Sequence, residues 1–130
     1  MATSAAQMQE ALVDSALREQ LIAHLMLSFA SCGFKVRAAR AAGYPLPPVV
    51  RNIRLMGDRK DKQSDLYGYD PSEQVAVRGL VKASNAELRS EHTSTQLRLF
   101  ASQTSLDSSK PSRTYIIVPI ARREDLTEVL

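Results

Sequence analysis

The first 31 residues contain neither glycine nor proline, and this absence is the strongest constraint on how the chain can fold. Both residue types interrupt helices, glycine through backbone entropy and proline through its missing N–H group. Ser4 and Gln7 match a capping box, which predicts a helix start. Apolar residues then recur at close to the helical period: Leu12, Leu17, Leu21, Leu25 and Phe29. We predict one long core helix, or two that abut near Ser15.

Glycines and prolines divide the next 25 or so residues. Gly33 can adopt the left-handed turn that ends a helix. A second helix, rich in Ala and Arg, is predicted from residue 34 or 35 to about residue 42, and Gly43 would end it in the same way. The prolines at 45, 47 and 48 predict a stiff turn, followed by a third helix from Pro48 through Met56.

The second half of the chain has two further helix signals. Residues 57–69 are polar and charged without apolar periodicity, which predicts an exposed linker. Asp70-Pro71-Ser72-Glu73 has the residue types of a helix start, and Ser84 with Glu87 forms a capping box from which a helix can restart and run towards Phe100. The alternation of apolar and polar residues over 96–101 also permits a strand, although helix is preferred.

A Ser-rich connector, residues 102–113, separates this region from the best strand candidate, Thr114 to Val118, which is β-branched and aromatic. A single strand leaves its backbone groups unpaired. It must therefore pair with residues 96–101, with another subunit or with a partner's sheet. Residues 121–130 are predicted to form a final helical turn.

Together these signals predict a mainly α fold: an N-terminal helical bundle with a helix-turn-helix-like unit, a further central helix or helices, and a short C-terminal β-strand. The predicted division is a DNA-binding-like domain at 1–57, a linker at 58–69, a helical association segment at 70–101, a Ser-rich linker at 102–113 and a strand-containing tail at 114–130.

Composition excludes several classes of protein. No apolar run reaches the roughly 18 residues that a transmembrane helix needs, and acidic residues precede the first basic one, Arg18, unlike a secretory signal. One cysteine, Cys32, cannot form an internal disulfide and is expected to be buried. With two histidines, no metal site is predicted. We expect an intracellular protein without a membrane segment or small-molecule cofactor.

Motifs that would indicate an enzyme are absent from the sequence. There is no nucleophile elbow, phosphate-binding glycine loop, dinucleotide fingerprint or zinc-protease motif. Cys32 and His24 stand eight residues apart, about 12 Å along a helix axis, too far for a thiolate and its base. A non-enzymatic protein is therefore expected.

Positive charge is concentrated in one segment of the chain. Residues 35–62 contain eight Lys or Arg and two Asp, a net charge of +6, whereas the whole chain carries +3. Such asymmetry is typical of nucleic-acid binding and also suits an acidic protein partner.

Within this basic segment, Ala39, Gly43 and Val49 have the spacing of a helix-turn-helix: a small packing residue, a turn glycine and an apolar anchor. Arg51, Asn52 and Arg54 would then face the major groove, where Arg can read guanine and Asn can read adenine. Six further basic residues would lie near phosphates: Lys35, Arg37, Arg40, Arg59, Lys60 and Lys62. The alternative interpretation is an Ala-rich helix followed by a solvated basic surface.

The stretch RAARAAGYP, residues 37–45, resembles the N-terminal helix-turn-helix of phage small terminase subunits. That resemblance implies a ring that recognises viral DNA, with residues 70–101 as oligomerisation helices and 114–120 as the tail strand. The Ser-containing turn of that family is replaced here by Pro45 to Pro48. The function it favours is binding of double-stranded DNA by a self-associating protein.

A second stretch, REQLIAHLMLSFASCGFK at 18–35, resembles part of the helical adaptor of the enhancer-of-yellow type, which wraps a partner's helix. The similarity ends after Lys35. It implies an alternative function, an interaction subunit of a larger assembly without direct nucleic-acid contact.

Overall fold

The computed structural model describes residues 5–104 and 109–119, with side chains from Ser15 onward. Helix α1 spans Ala5–Ser31, and the next elements in chain order are strands: β1 (Lys35–Ala39), β2 (Val49–Val50), β3 (Lys62–Gln63), β4 (Leu66–Asp70) and β5 (Val75–Val81). Two helices and a strand follow: α2 (Asn85–Leu88), α3 (Glu91–Ala101) and β6 (Arg113–Ile117).

Four of the strands form one mixed sheet in the order β1-β4-β5-β6. The β1–β4 and β4–β5 pairs are antiparallel, whereas β5 and β6 are parallel. A parallel pair requires a crossover connection, which α2 and α3 provide here. Strands β2 and β3 form a separate two-stranded antiparallel sheet.

Helices cover both faces of the main sheet. On one face, Leu21, Leu25 and Phe29 of α1 pack against a cluster that includes Leu66 and Val77. On the other face, the end of α3 packs over β5 through a second apolar cluster: Val50, Leu80, Leu99 and Phe100. Because side chains alternate along a strand, β5 contributes to both clusters and forms the centre of a three-layer arrangement.

The N-terminal helix prediction is confirmed by α1. Leu21, Leu25 and Phe29 of the predicted stripe are buried and Leu17 is half-buried, while the side chain of Leu12 lies outside the described residues. Gly33 has a φ of +82°, so it ends the helix in the left-handed conformation that was expected of it.

Two predictions in the second half are also confirmed. The Ser84 hydroxyl accepts a hydrogen bond from the Glu87 N–H at 3.2 Å as the N-cap of α2, and residues 96–101 belong to helix α3. The C-terminal strand forms as β6, but its partner is β5 and none of the three partners proposed for it. The interaction-subunit alternative stays a prediction.

The mainly α fold and its N-terminal helical bundle are wrong, because the chain is a mixed α/β protein with two sheets. The second predicted helix is strand β1, and the third is replaced by β2 and a loop. The helix predicted from Asp70 is replaced by β5. Strand β3 and residues 66–69 of β4 lie within the segment that was predicted to be an exposed linker.

Tertiary pairing explains why the Ala-rich segment is a strand. Alanine has the highest helix propensity, but that preference is below about 1 kcal/mol per residue relative to most other types. In β1, Ala39 is fully buried opposite Leu66 of β4, and its N–H donates to the carbonyl of Pro45 at 3.0 Å. Burial and pairing in the sheet outweigh the local preference.

The residues around Asp70 illustrate a similar ambiguity. The Asp70 carboxylate accepts hydrogen bonds from the Ser72 N–H at 3.0 Å and the Ser72 hydroxyl at 2.7 Å, so this sequence makes a turn between β4 and β5 instead of a helix cap. All seven residues of β5 are buried. A short apolar run of this kind fits a central strand as well as a helix. The sequence pattern alone therefore could not distinguish β5 from the predicted helix.

The helix-turn-helix is therefore wrong as well. Ala39 lies at the end of β1, Gly43 lies in the following loop and Val49 begins β2. Cys32, expected to be buried, is exposed. The final helical turn predicted for residues 121–130 lies outside the described part of the chain. Among the described helices, none combines the length and apolarity needed to cross a bilayer.

Candidate functional site

A polar pocket opens at one end of the main sheet, where β1 and β5 end and β4 and α3 begin. It encloses about 520 Å³. Two sets of charged side chains line it. The basic set is Arg18, Arg40, Lys62, Lys82 and His92, and the acidic set is Asp61, Asp65 and Glu87. Clefts outside the carboxyl ends of strands are common ligand sites in α/β proteins, which makes this pocket the first candidate.

Lys82 is the most unusual side chain of the pocket. It follows the last residue of β5, and strand alternation places it on the α3 side, where only 5% of it is exposed. Its ammonium donates a hydrogen bond to Oε1 of Gln96 at 2.6 Å. Burial lowers the pKa of the Lys82 amine, while the nearby Asp65 and Glu87 carboxylates act in the opposite direction.

Asp65 is held rigidly at the start of β4. Its carboxylate oxygen Oδ2 accepts a hydrogen bond from the Val81 N–H at 2.8 Å, beside Lys82. Its backbone carbonyl accepts from the Arg40 N–H at 2.9 Å, and Nε of Arg40 lies 3.9 Å from its other carboxylate oxygen. Asp65 therefore ties the ends of β1 and β5 together and presents a carboxylate in the pocket.

Lys62 forms a second buried amine, with 1% of the residue exposed. Its Nζ donates to Oδ2 of Asp58 at 2.5 Å and lies 2.6 Å from Nδ1 of His92. The hydrogen bond from Lys62 lowers the pKa of Asp58. Burial, together with the charges of Lys62 and Lys82, lowers the pKa of His92. The neutral imidazole ring can therefore accept a hydrogen bond from the Lys62 ammonium at Nδ1.

Arg18 of α1 and Glu87 of α2 also line the pocket. The Arg18 guanidinium ion-pairs with Glu87 and also donates to the carbonyl of Val81 at 3.3 Å. The second oxygen of Glu87 accepts from the Ala83 N–H at 3.2 Å. These contacts attach α1 and α2 to the end of β5 on either side of Lys82.

In the described part of the chain, three of the four Lys and Arg of the lining have a carboxylate within 4 Å, and Lys82 does not. Arg18 is paired with Glu87, Arg40 with Asp65 and Lys62 with Asp58. Within residues 15–104 and 109–119, no carboxylate lies within 4 Å of the Lys82 ammonium. With His92 neutral and the Lys62 partner Asp58 included, the four Lys and Arg are balanced by four acidic residues: Asp58, Asp61, Asp65 and Glu87.

The predicted nucleic-acid-binding residues are scattered, and the structure brings only Arg40 and Lys62 into the pocket. Lys35 and Arg37 lie on β1 towards its other end, where the Arg37 guanidinium lies 5.5 Å from the centroid of the Tyr69 ring. Asn52 is buried and bonds to its own loop. The remaining four are exposed on that loop: Arg51, Arg54, Arg59 and Lys60.

Sequence reasoning missed Lys82, Asp65, Arg18 and His92. A lysine directly after a valine-rich run was a usable signal for Lys82, provided the run was interpreted as a strand. The other three are brought together by the sheet and leave no local pattern. Among the described residues, no group of three His, Cys, Asp or Glu side chains could hold a metal ion.

No protein-family model matches this chain, and comparisons with curated protein sequences and with solved structures gave no significant match.

Proposed function

We propose that the protein binds double-stranded DNA and seats one backbone phosphodiester in the pocket, against the ammonium of Lys82. The observation that carries this proposal is a buried lysine that lines an open pocket and whose hydrogen-bond partner, among the described residues, is the amide of Gln96 and not a carboxylate. A buried charge is costly unless it is paired. Within the described part of the chain, Gln96 accepts from one of the three ammonium donors, which leaves two for an anion.

The pocket has the features of a site for a singly charged phosphate group. Lysine binds phosphate as a compact point charge. A phosphodiester carries a single negative charge, which would pair with the single ammonium group of Lys82. The first turn of α3 also lines the pocket through Ser90 and Thr93, and a helix N-terminus favours an anion.

A polymer fits better than a small phosphate because of what surrounds the pocket. Residues 51–61 form the loop that joins β2 to β3, and it displays four exposed cations: Arg51, Arg54, Arg59 and Lys60. Val49 and Gln63, the paired residues at the base of this loop, both line the pocket. One DNA strand carries a phosphate about every 3.4 Å of helix axis. A strand seated in the pocket would extend beyond it, and the cations of this loop are available to further phosphates.

Fluorescence anisotropy of a short labelled DNA duplex over a salt series tests the proposal. We expect log K to fall linearly with log salt, by about 0.9 for each phosphate that is neutralised. Lys82→Met should weaken binding and reduce the slope by about 1. Absence of binding at low salt, or equal binding by Lys82→Met, would contradict it.

Arg78→Met is the matched control. Arg78 lies on β5, four residues before Lys82 and on the same side of the sheet, and burial lowers the pKa of its side chain too, but it does not line the pocket. Its guanidinium lies over the rings of Tyr67 and Phe100. DNA binding should therefore survive this change.

A second candidate function is Mg²⁺-dependent hydrolysis of the bound phosphodiester, favoured by the Asp65 carboxylate beside Lys82. Proteins often hold Mg²⁺ with one or two carboxylates together with substrate phosphates and waters. An uncharged amine can accept the proton that the attacking water loses, and burial favours the uncharged form of Lys82. This candidate opposes the expectation of a non-enzymatic protein, which stays a prediction.

Nicking of supercoiled plasmid with Mg²⁺ or with EDTA separates the two candidates. Hydrolysis requires Mg²⁺-dependent nicking that Asp65→Asn abolishes while DNA binding persists. Binding without nicking by the unmodified protein would remove the second candidate and leave the first.

A further inference from the structure

The loop of residues 51–61 exposes apolar side chains between its cations. Ile53 is 85% exposed and Leu55 is 57% exposed. Arg51 and Arg54 alternate with them along the chain and are also exposed. Isolated exposed apolar residues are ordinary, but two large ones on one short loop, flanked by arginines, are a feature that needs a partner.

This loop is internally organised. Asn52, which is 3% exposed, donates through Nδ2 to the carbonyls of Met56 at 2.8 Å and Lys60 at 3.2 Å, and its Oδ1 accepts from the Met56 N–H at 2.8 Å. The Asn52 N–H donates to Oδ1 of Asp61 at 2.8 Å. Ile53 and Leu55 are therefore held outward by a hydrogen-bonded frame.

The backbone of the loop is strained at Leu55. Leu55 has a φ of +53°, in the left-handed region that bulky side chains rarely adopt. Met56 packs against the apolar cluster under α3, and the Asp58 N–H donates to Oγ1 of Thr95 at 3.2 Å. Strain of this kind persists only where the surroundings enforce it, and it is concentrated at functional sites.

The position and the charge of the loop indicate the chemistry of the partner that it fits. The loop leaves and rejoins the pocket wall at the Val49–Gln63 pair, so a ligand in the pocket lies beside its base. Its two acidic residues are engaged within the structure, Asp61 by Asn52 and Asp58 by Lys62, while its four cations are exposed. The partner must therefore be anionic and must also offer apolar surface next to its charges.

We propose that Ile53 and Leu55 insert as a wedge against the bases of the DNA whose backbone occupies the pocket, while Arg51 and Arg54 contact the flanking phosphates. This inference rests on the proposed DNA-binding function. Aliphatic side chains such as Ile and Leu are among those that DNA-binding proteins insert between base steps, which partly unstacks the bases and kinks the duplex. A rigid loop suits this role because little ordering is needed on binding.

A duplex that contains the fluorescent base 2-aminopurine, scanned along a short sequence, tests the wedge with the full chain. Unstacking should raise the fluorescence at one or two positions when the unmodified protein binds. The double variant Ile53→Ser/Leu55→Ser should still bind with the same salt slope but lose the fluorescence rise. Leu46→Ser is the matched control, since Leu46 is 71% exposed but lies outside the loop, and it should retain the rise.

Each other outcome overturns the wedge in a distinguishable way. Binding without a fluorescence rise, or with a rise that the double variant retains, contradicts the wedge but leaves the DNA-binding function intact. Failure of the unmodified protein to bind the duplex removes both. Co-sedimentation with phosphatidylserine vesicles that the double variant loses, together with unchanged DNA fluorescence, would assign the loop to a membrane surface.

Discussion

The two faces of β5 differ in chemistry, although both are buried. Towards α1 the strand presents Val75, Val77 and Val81, and Gly79 leaves room for Leu25, whose Cδ2 would lie 2.5 Å from a Cβ at that position. Towards α3 the strand presents Leu80, and the strand and the residue after it also present Arg78 and Lys82. One face is an apolar core, and the other combines an apolar cluster with two buried cations. Burial alone therefore does not separate residues that stabilise this fold from residues placed for a ligand.

The difference predicts separable effects of mutation. Removing apolar volume from the α1 face should lower stability, because it leaves a cavity in a close-packed core. Removing a cation from the α3 face should cost little stability, since desolvation of a buried charge offsets much of what its contacts contribute.

The largest expected effect is on the α1 face. Phe29 is 2% exposed, and its ring makes edge contacts with Phe34 and Tyr115. Phe29→Ala should lower the free energy of unfolding by about 3–5 kcal/mol. Urea denaturation measures this change. Leu27→Ala on the exposed side of α1 is the control and should change it by about 0.5 kcal/mol or less. Equal effects of the two variants would mean that α1 does not pack as described.

Lys82→Met should have a small effect on stability despite the burial of Lys82. The variant removes a desolvated charge and fills similar volume, but it leaves Oε1 of Gln96 without its donor. These changes oppose each other, so the free energy of unfolding should stay within about 1 kcal/mol of the original. The same denaturation experiment measures it. A loss as large as that of Phe29→Ala would place Lys82 with the structural core.

The smallest of the predicted changes is in the pH dependence of stability, and it depends on His92. Burial and the cations Lys62 and Lys82 lower its pKa from the ordinary 6.5, against the opposing influence of Asp58 and Asp65. Below pH 6.5 the unfolded chain therefore binds more protons than the folded chain, and stability falls as pH falls through this window. His92→Gln should lose less stability than the original protein between pH 7 and pH 5. Parallel losses in the two proteins would contradict this role of His92.

Local signals predicted the elements whose formation depends on neighbouring residues. The absence of Gly and Pro predicted α1, the pairing of Ser84 with Glu87 predicted the cap of α2, and the β-branched residues at 114–118 predicted β6. These patterns are contained within a few turns of chain, so the sequence alone is sufficient to recognise them.

The strands β1 and β5 and the pocket depend on contacts between residues that are distant in the sequence. Strand β1 is an Ala-rich segment that becomes a strand because β4 pairs with it, and β5 has a pattern that suits helix and strand alike. Misassigning β5 hid the site, because Asp65 and Lys82 become neighbours only through the β4–β5 hairpin. The charge of the basic segment was a correct observation about composition, but the structure distributes those cations over the edge of the sheet, the pocket and a loop.

Under the proposed function, a bound phosphodiester supplies the counterion of the buried Lys82 amine. NMR titration of the Lys82 side chain, assigned with Lys82→Arg, measures its pKa with and without a saturating short DNA duplex. Burial should hold the pKa of the free protein's Lys82 below the ordinary 10.5, and the duplex should raise it, because a neighbouring anion favours the ammonium form. A Lys82 pKa that the saturating duplex leaves unchanged would contradict the account.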